Sequence, residues 1–488
     1  MSAEQKRYLI IHGHFYQPPR ESPWTGLISS EPSAAPFPNW NERILSESYA
    51  ANAHAHTMEG PVVRISNNYQ MLSFNFGPTL MAWLSRHGTS VYRSVIRADA
   101  MSAERAGGHG NAIAQSYNHS ILPLLPAADK EIQIAWGIED FVYRFGRAPE
   151  GMWLPECGAD ADTLEAVARA GIKYIILAPW QGEFRPAPGS AAGDSSGPFV
   201  WRRGEFKLSV FRFDSEMAGF VSFGDALTDG ARLAKSVVER ALSQPPGSVL
   251  LIATDGETFG HHKKAGAAEL ARALSMISER EEIEVTNCAH AVSLGLEAGS
   301  FEINAPSAWS CQHGVERWRS DCGCRMAGDS TQHWRTPLRD AVEFVKRHAD
   351  SMYGTLAAEV LADPRQALKE SIRLAIDPNP ATTEDFFKRR ALTEEAARNR
   401  LLTLFEMQRA AHAAFTSCGW FFDDFGGLEG RIVLRWAARA VELAAWYAPS
   451  IEPELLDRLR PIHSNRRDIA DAATLYLSLK TREARGRI

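Results

Sequence analysis

Gly151-Met152-Trp153-Leu154-Pro155-Glu156-Cys157-Gly158 decides how the chain is read. Upstream, Ile134, Ile138, Phe141, Val142 and Phe145 recur at helical spacing and stop at Gly146. Downstream, Asp160 is placed to cap a helix through Leu164, Val167 and Ala168 that Gly171 ends. Ile172 to Ala178 is then a short β-branched run closed by Pro179, the pattern of a buried strand. Glu156 therefore falls just past a strand and just before a helix. In barrels built from such units this is the C-terminal rim, where chemistry collects. A carboxylate there, between Trp153 and Cys157 and after the rigid Pro155, suits a nucleophile or a base. Taken singly, a structural cap explains it equally well.

The pattern recurs. Tyr8-Leu9-Ile10-Ile11 reads as a strand that delivers His12-Gly13-His14, then Gln17. Two histidines two apart on an extended chain point to one side, which suits a metal, a substrate or a structural hydrogen bond. Lys207 to Phe213 alternates into a strand ending at Asp214 and Glu216, and Ser248 to Ala253 is a buried strand ending at Asp255-Gly256-Glu257 and His261. Ile283 to Thr286 is a last strand before residue 300, and Gln181 to Gly204 reads as an exposed loop. His119, after Tyr117-Asn118, is a further candidate. Several strand ends carrying ionisable groups are explained together by a parallel α/β barrel with its site at one rim.

Length and composition bound the rest. The 488 residues exceed one typical core, so two domains, or a barrel with an appendage, are expected. A net charge of -6 leaves no basic footprint for nucleic acid, and no run approaches a membrane span. The opening Met1 to Arg7 reads as no leader, and six cysteines in so long a chain are no disulfide framework, so a cytoplasmic protein is expected. Gly107-Gly108-His109-Gly110-Asn111 has no helix at phosphate-cradle spacing, and no cofactor is expected.

From Ser307 the texture changes. Trp309-Ser310-Cys311-Gln312-His313 runs into Asp321-Cys322-Gly323-Cys324 without period. Cysteine pairs on zinc usually have two or more residues between them, so no metal is assigned and the loop is read as packing near the rim. The remainder is helical, with core stripes Leu401/Leu404/Phe405/Gln408/Ala411/Phe415, Val433/Trp436/Ala437/Ala440/Ala444/Tyr447 and Ile469/Ala472/Ala473/Tyr476/Leu479. Between the first two lies Ser417-Cys418-Gly419-Trp420-Phe421. The boundary is set at 300: residues 1–300 catalytic, residues 301–488 an α-helical domain contributing to the cleft.

Assembled, these motifs resemble glycoside hydrolase family 57, the amylase, 4-α-glucanotransferase and branching-enzyme family. His12-Gly13-His14 with Gln17 looks like its first region, Trp153-Leu154-Pro155-Glu156 its third, and Asp255-Gly256-Glu257 with His261 its fourth. Phe211 to Asp214 is similar to a substrate-side strand, and Ser417 to Phe421 to the family's tryptophan-bearing segment. The Trp309–Cys324 loop looks like a branch whose C-terminal extension has no assigned function. The resemblance implies a seven-stranded (β/α) barrel followed by an α-helical C-terminal domain. It also implies Glu156 as nucleophile and Asp255 as acid/base, an order against Glu257 that the residues alone leave open. Where many members carry a glutamate in the second region, this chain offers His109-Gly110-Asn111.

The implied chemistry is retaining hydrolysis or transfer on an α-glucan or maltooligosaccharide through a glycosyl-enzyme intermediate. His12, His14, Gln17, His119, Asp214, Glu257, His261 and His313 are then candidates for sugar hydroxyls, and Trp153 and Trp420 for stacking. Two other readings stand beside it: a metal-dependent carbohydrate hydrolase or deacetylase using His12, His14 and Asp255, and a non-catalytic glucan-binding protein.

Overall fold

A computed structural model describes residues 6–59, 61–187 and 195–485. Met1 to Gln5, part of the stretch read for a leader, lie outside the described residues. The chain folds as two compact units: Met1–Gln17, Ser30–Ser116 and Phe141–Trp309 form the first, Pro18–Ser29, Tyr117–Asp140 and Ser310–Ile488 the second.

In the first unit, the strand Arg7–Phe15 is almost wholly buried, as its unbroken apolar start requires of a strand covered on both faces. It pairs in parallel with Val249–Asp255, so that His12 lies beside Ala253 and His14 beside Asp255. Its other edge pairs with Ile283–Val285 at its start and with Ser73–Phe76 at its end, where His12 faces Ser73 and His14 faces Asn75. Ala114–Gln115 pairs in parallel with Met152–Trp153, and Tyr174–Leu177 with Phe206–Arg212. Asp160 caps the helix Ala161–Arg169 through the Thr163 amide.

The ladders do not close into a seven-stranded barrel among the described residues. They fall into a four-stranded sheet, a five-stranded mixed sheet and two pairs. The breaks have local causes. Ala114–Gln115 and Met152–Trp153 are two residues long and join their neighbours only through the bridges Phe74–Ala112 and Gly151–Tyr174. Between Phe206–Arg212 and Val249–Asp255 a short segment intervenes: Arg212 N donates to Ser196 O, and Ser196 N to Val249 O. The two chains rejoin where Asp214 N donates to Leu251 O.

Gln181 to Gly204 is not the exposed loop expected of its composition. Of the part described, Glu183–Pro186 is an antiparallel strand, and Phe199–Arg203 forms a hairpin with Phe206–Arg212 that buries Phe199, Val200 and Trp201. Gly204, at φ +58, supplies the left-handed turn position, and the aromatic and β-branched run overrides the loop-like composition around it.

The second unit contains the helices Arg335–Ala358, Glu395–Ala413, Gly430–Ala444 and Ala472–Arg485. The first three pack on one another. The stripes read from the sequence lie on or beside the last three helices and are buried, except for Tyr447, which lies past its helix and is exposed. No helix among the described residues is long and apolar enough to cross a membrane.

Candidate active site

The parallel strands of the first unit bring a polar, aromatic wall together. His12 Nδ1 lies 2.9 Å from Ser73 Oγ, and its Nε2 lies 3.2 Å from Asn75 Oδ1. His14 Nδ1 meets the same Asn75 amide, whose Nδ2 also donates to Gln115 Oε1 at 2.8 Å. Both imidazoles stack on the Trp153 indole, at 5.0 and 4.9 Å between centroids. Trp309 closes on Trp153 edge-on at 5.1 Å. Burial pushes both histidines down to about 3, so the wall is uncharged at any ordinary pH. It offers hydrogen bonds and ring faces and repels no neutral ligand.

Glu156 sits on the turn Pro155–Cys157 with φ 57, and Cys157 follows at φ 50. Two successive non-glycine residues in the left-handed region cost on the order of 1–3 kcal/mol each, and such strain persists only where neighbours impose it. Here the neighbours are identifiable. Trp309 N donates to Glu156 O at 2.9 Å and Trp309 Nε1 to Glu156 Oε2 at 3.0 Å. Gln181 Nε2 holds Cys157 O at 2.6 Å. The turn aims a carboxylate that Trp309 fixes from both backbone and side chain.

Asp255 ends the strand beside His14, and its side chain caps nothing in the turn Gly256–Thr258 that follows. Asp255 keeps access to solvent, yet the protein packed around it desolvates its carboxyl. That desolvation, with the negative charge of Glu156, lifts it to about 7. A third acid, Glu257, is buried and accepts from the Tyr49 hydroxyl at 2.6 Å and the Tyr16 amide at 3.1 Å. Burial pushes it up to about 8 against the pull of the Tyr49 bond. Gly256 lets these two acids share a tight turn: a Cβ there would stand 2.2 Å from the Phe15 ring.

The remaining sequence candidates divide by unit. In the first, Gln17 hydrogen-bonds the Tyr49 side chain, and His261 Nδ1 meets Glu47 Oε2. Asp214 Oδ1 caps its own helix through Met217 N at 2.9 Å, and Oδ2 accepts from Arg240 Nε at 2.7 Å. In the second, His119 is buried with Nδ1 on Ser417 Oγ, and Trp420 is fully buried, donating to Ala414 O and stacked over Trp334. His313 stands 3.5 Å from Cys324 Sγ.

The family model described as glycosyl hydrolase family 57 matches residues 58–301, half of the chain. The chain belongs to glycosyl hydrolase family 57. A second model, described as a domain of unknown function (DUF3536), matches residues 331–483. Alpha-amylase 1 of Dictyoglomus thermophilum is 25% identical over 190 residues, which are 39% of this chain and 26% of that protein. A 4-alpha-glucanotransferase of Thermococcus litoralis is 22% identical over 205 residues, 41% of this chain and 28% of that one. The chain thus matches about a quarter of the length of these curated relatives. The crystal structure of an exo-type maltose-forming amylase from Pyrococcus sp. ST04 shares the α/β fold with a TM-score of 0.67 at 15% identity, covering 92% of this chain and 80% of that one.

Within this family 57 chain, several residues of the wall carried no signal of their own in the sequence. Asn75 and Gln115 sit in short apolar strands and are ordinary amides until the fold sets them against His12 and His14. Tyr49 reaches Glu257 from a π-turn, Leu45–Tyr49, a local irregularity common near functional sites but invisible to helical periodicity. Asn111, read at the second region, is fully buried and bonds the Tyr69 and Gln70 carbonyls and Asn287. Gln115, four residues on, is the amide that joins the histidine wall.

Proposed function

We propose that this chain is a retaining α-glucan-active hydrolase or transferase that acts on α-1,4-linked glucan or maltooligosaccharides. The observation that carries the reading is the pairing of Glu156, held on a strained turn, with an Asp255 carboxyl lifted to about 7. An acid that holds its proton beside a second carboxyl is the requirement of acid–nucleophile glycoside cleavage. Glu156 attacks the anomeric carbon and forms an ester as the C1–O glycosidic bond breaks, while Asp255 gives its proton to the departing oxygen. Asp255, now a carboxylate, takes a proton from water or an acceptor hydroxyl, whose oxygen displaces Glu156 and restores both groups.

His14 and Gln17 are assigned to sugar hydroxyls, with Trp153 and Trp309 shaping the apolar face of the ring, and His12, whose two ring nitrogens Ser73 and Asn75 take, to the wall behind them. Glu257 acts by holding the Asp255 turn, with His261 behind it. Asp214 is assigned to the scaffold. His119 and Trp420, in the second unit, are left out of this assignment. The finer fold belongs to the same reading: a seven-stranded (β/α) barrel, supported by the hydrogen bonds through Ser196 and Asp214 to the Leu251 strand, then a helical domain over residues 301–488. So does a cytoplasmic setting, which six free cysteines suit. A metal-dependent mechanism at His12 and His14 is disfavoured, since Ser73 and Asn75 take both nitrogens of His12.

The test is a product profile on maltoheptaose and on amylose, with Glu156→Gln alongside. Longer and shorter oligosaccharides together mean transfer, and shorter ones alone mean hydrolysis. Proton NMR of the first product should show the α-anomer; the β-anomer would overturn retention. No turnover of either glucan would overturn the substrate class.

A further inference from the structure

Outside the acids and histidines of the first unit, the described residues contain one convergence of three or more metal-ligating side chains. It lies in the second unit, in the irregular segment between Ser310 and the helix Arg335–Ala358. The ligand atoms of Cys311, His313, Cys322 and Cys324 all fall within 4.8 Å of one another. Cys311 Sγ lies 4.0 Å from Cys324 Sγ, and Cys324 Sγ lies 3.5 Å from His313 Nδ1. A tetrahedral zinc with Zn–S of about 2.3 Å and Zn–N of about 2.0 Å has edges of about 3.8 Å between sulfurs and about 3.5 Å between sulfur and nitrogen. The Cys311–Cys324 and Cys324–His313 separations come within about 0.2 Å of those edges, and the remaining ones stay within 4.8 Å.

The backbone explains why residues so closely spaced in sequence can meet this way. Gly314 and Gly323 take φ of 78 and 84, left-handed positions that reverse the chain directly after His313 and between Cys322 and Cys324. A Cβ on Gly323 would meet nothing within 4 Å, so this glycine serves the turn and not a close contact. One intervening residue is then enough for a pair to converge, where an ordinary turn needs two or more. The surrounding loop is tied down as a ligand frame would be. Arg335 Nη1 donates to Cys324 O, Arg317 Nη1 to Ser310 O, and the Met326 and Ala327 amides to the Asp423 carboxylate. The half-exposed Cys322 and Cys324 gain little from hydrophobic burial by clustering here, and apart from the single turn Glu316–Trp318 the segment has no regular structure.

We propose that Cys311, His313, Cys322 and Cys324 bind one zinc ion through three thiolates and Nδ1. Three soft sulfurs and an imidazole in tetrahedral array select zinc over hard cations. Four protein ligands leave no position for water or substrate, so the site is structural and staples the segment that follows Trp309. Binding displaces the thiol protons, so the site loads better as pH rises toward neutrality.

The test uses the full chain, purified under reducing conditions without added metal or a metal-affinity tag. Elemental analysis should find about one zinc per chain. A strong chelator should remove it, lower the unfolding temperature, and open Cys322 and Cys324 to alkylation that the untreated protein resists. Cobalt(II) added to the stripped protein should give intense thiolate charge-transfer and tetrahedral d–d bands. Cys322→Ser with Cys324→Ser should hold no metal, while His333→Ala, an exposed imidazole in the same segment, should keep it. The proposal fails if the wild-type protein carries under roughly a tenth of an equivalent of zinc and shows no tetrahedral cobalt spectrum, a comparison that needs no variant to fold. It fails equally if the double variant keeps its zinc, if iron replaces zinc, or if freshly purified protein has Cys311 disulfide-linked to Cys324.

Discussion

Asp214 and Asp255 begin as equals and end differently. Asp255 ends a buried strand of the first unit, Asp214 lies two residues past one, and each precedes a helical turn. Asp214 has its oxygens taken by its own helix, through the Met217 amide, and by Arg240. Asp255 caps nothing, stays open to solvent, and stands in the field of Glu156. A carboxylate whose acceptors are consumed by the scaffold is fixed in position. One left next to another acid can exchange a proton near neutral pH. Position at a strand end therefore does not separate a candidate acid from a helix cap; the use of its oxygens does.

The largest effects should separate the two most sharply. Glu156→Gln and Asp255→Asn should each lower kcat on maltoheptaose by about 10³–10⁵-fold with an unchanged circular dichroism spectrum. Asp214→Asn, which can still cap its helix, should stay within roughly threefold of the wild type. Comparable losses in all three would break the distinction.

Protonation sharpens it. If Asp255 must carry the proton, kcat/KM on an uncharged glucan should fall about tenfold per pH unit above its value of about 7. Burial is the larger cause of that value and Glu156 the second, so Glu156→Gln should move the Asp255 carboxyl downward. Carbon-13 NMR titration of Asp255 in both proteins reads the shift, and an unmoved value would mean the two acids do not sense each other. A smaller loss belongs to the wall: Asn75→Ala removes the amide that positions His12 and His14 and should lower kcat/KM by roughly 10–100-fold. His12 and His14, being neutral, should add no further limb to the pH profile between about 5 and 9.

What was legible in the sequence followed from periodicity and caps. The strands at Ile10, Ile175, Val210 and Leu251, the Asp160 cap and the C-terminal stripes all depend on local patterns that the structure retains. Two kinds of feature were not legible. Long-range hydrogen bonding decides whether an acid such as Asp214 is consumed, and Arg240 lies on a helix 26 residues away. Backbone irregularity is the other kind: the left-handed Glu156 and Cys157, the Tyr49 π-turn, and the glycine reversals that gather Cys311, His313, Cys322 and Cys324. Spacing rules assume regular geometry, and these residues meet because the geometry departs from it.

The smallest expected effect is on stability, and its sign differs between the two kinds of acid. Glu257 is buried with its carboxyl at about 8 in the folded chain, against 4.5 for an ordinary glutamate. Between those values the folded state binds a proton that the unfolded state has released. Unfolding thus becomes easier as pH rises from about 4.5 to about 8. Glu257→Gln keeps an oxygen for the Tyr49 hydroxyl and removes the ionisation, so it should stabilise the protein at pH 8.5 by an amount on the order of 1 kcal/mol and change little at pH 4.5. Asp214→Ala should instead cost roughly 1 kcal/mol by removing the cap and the Arg240 contact. Urea unfolding of the two variants at the two pH values reads four numbers. A Glu257→Gln variant destabilised equally at both would mean that this carboxyl serves the scaffold through its hydrogen bonds and not through its proton.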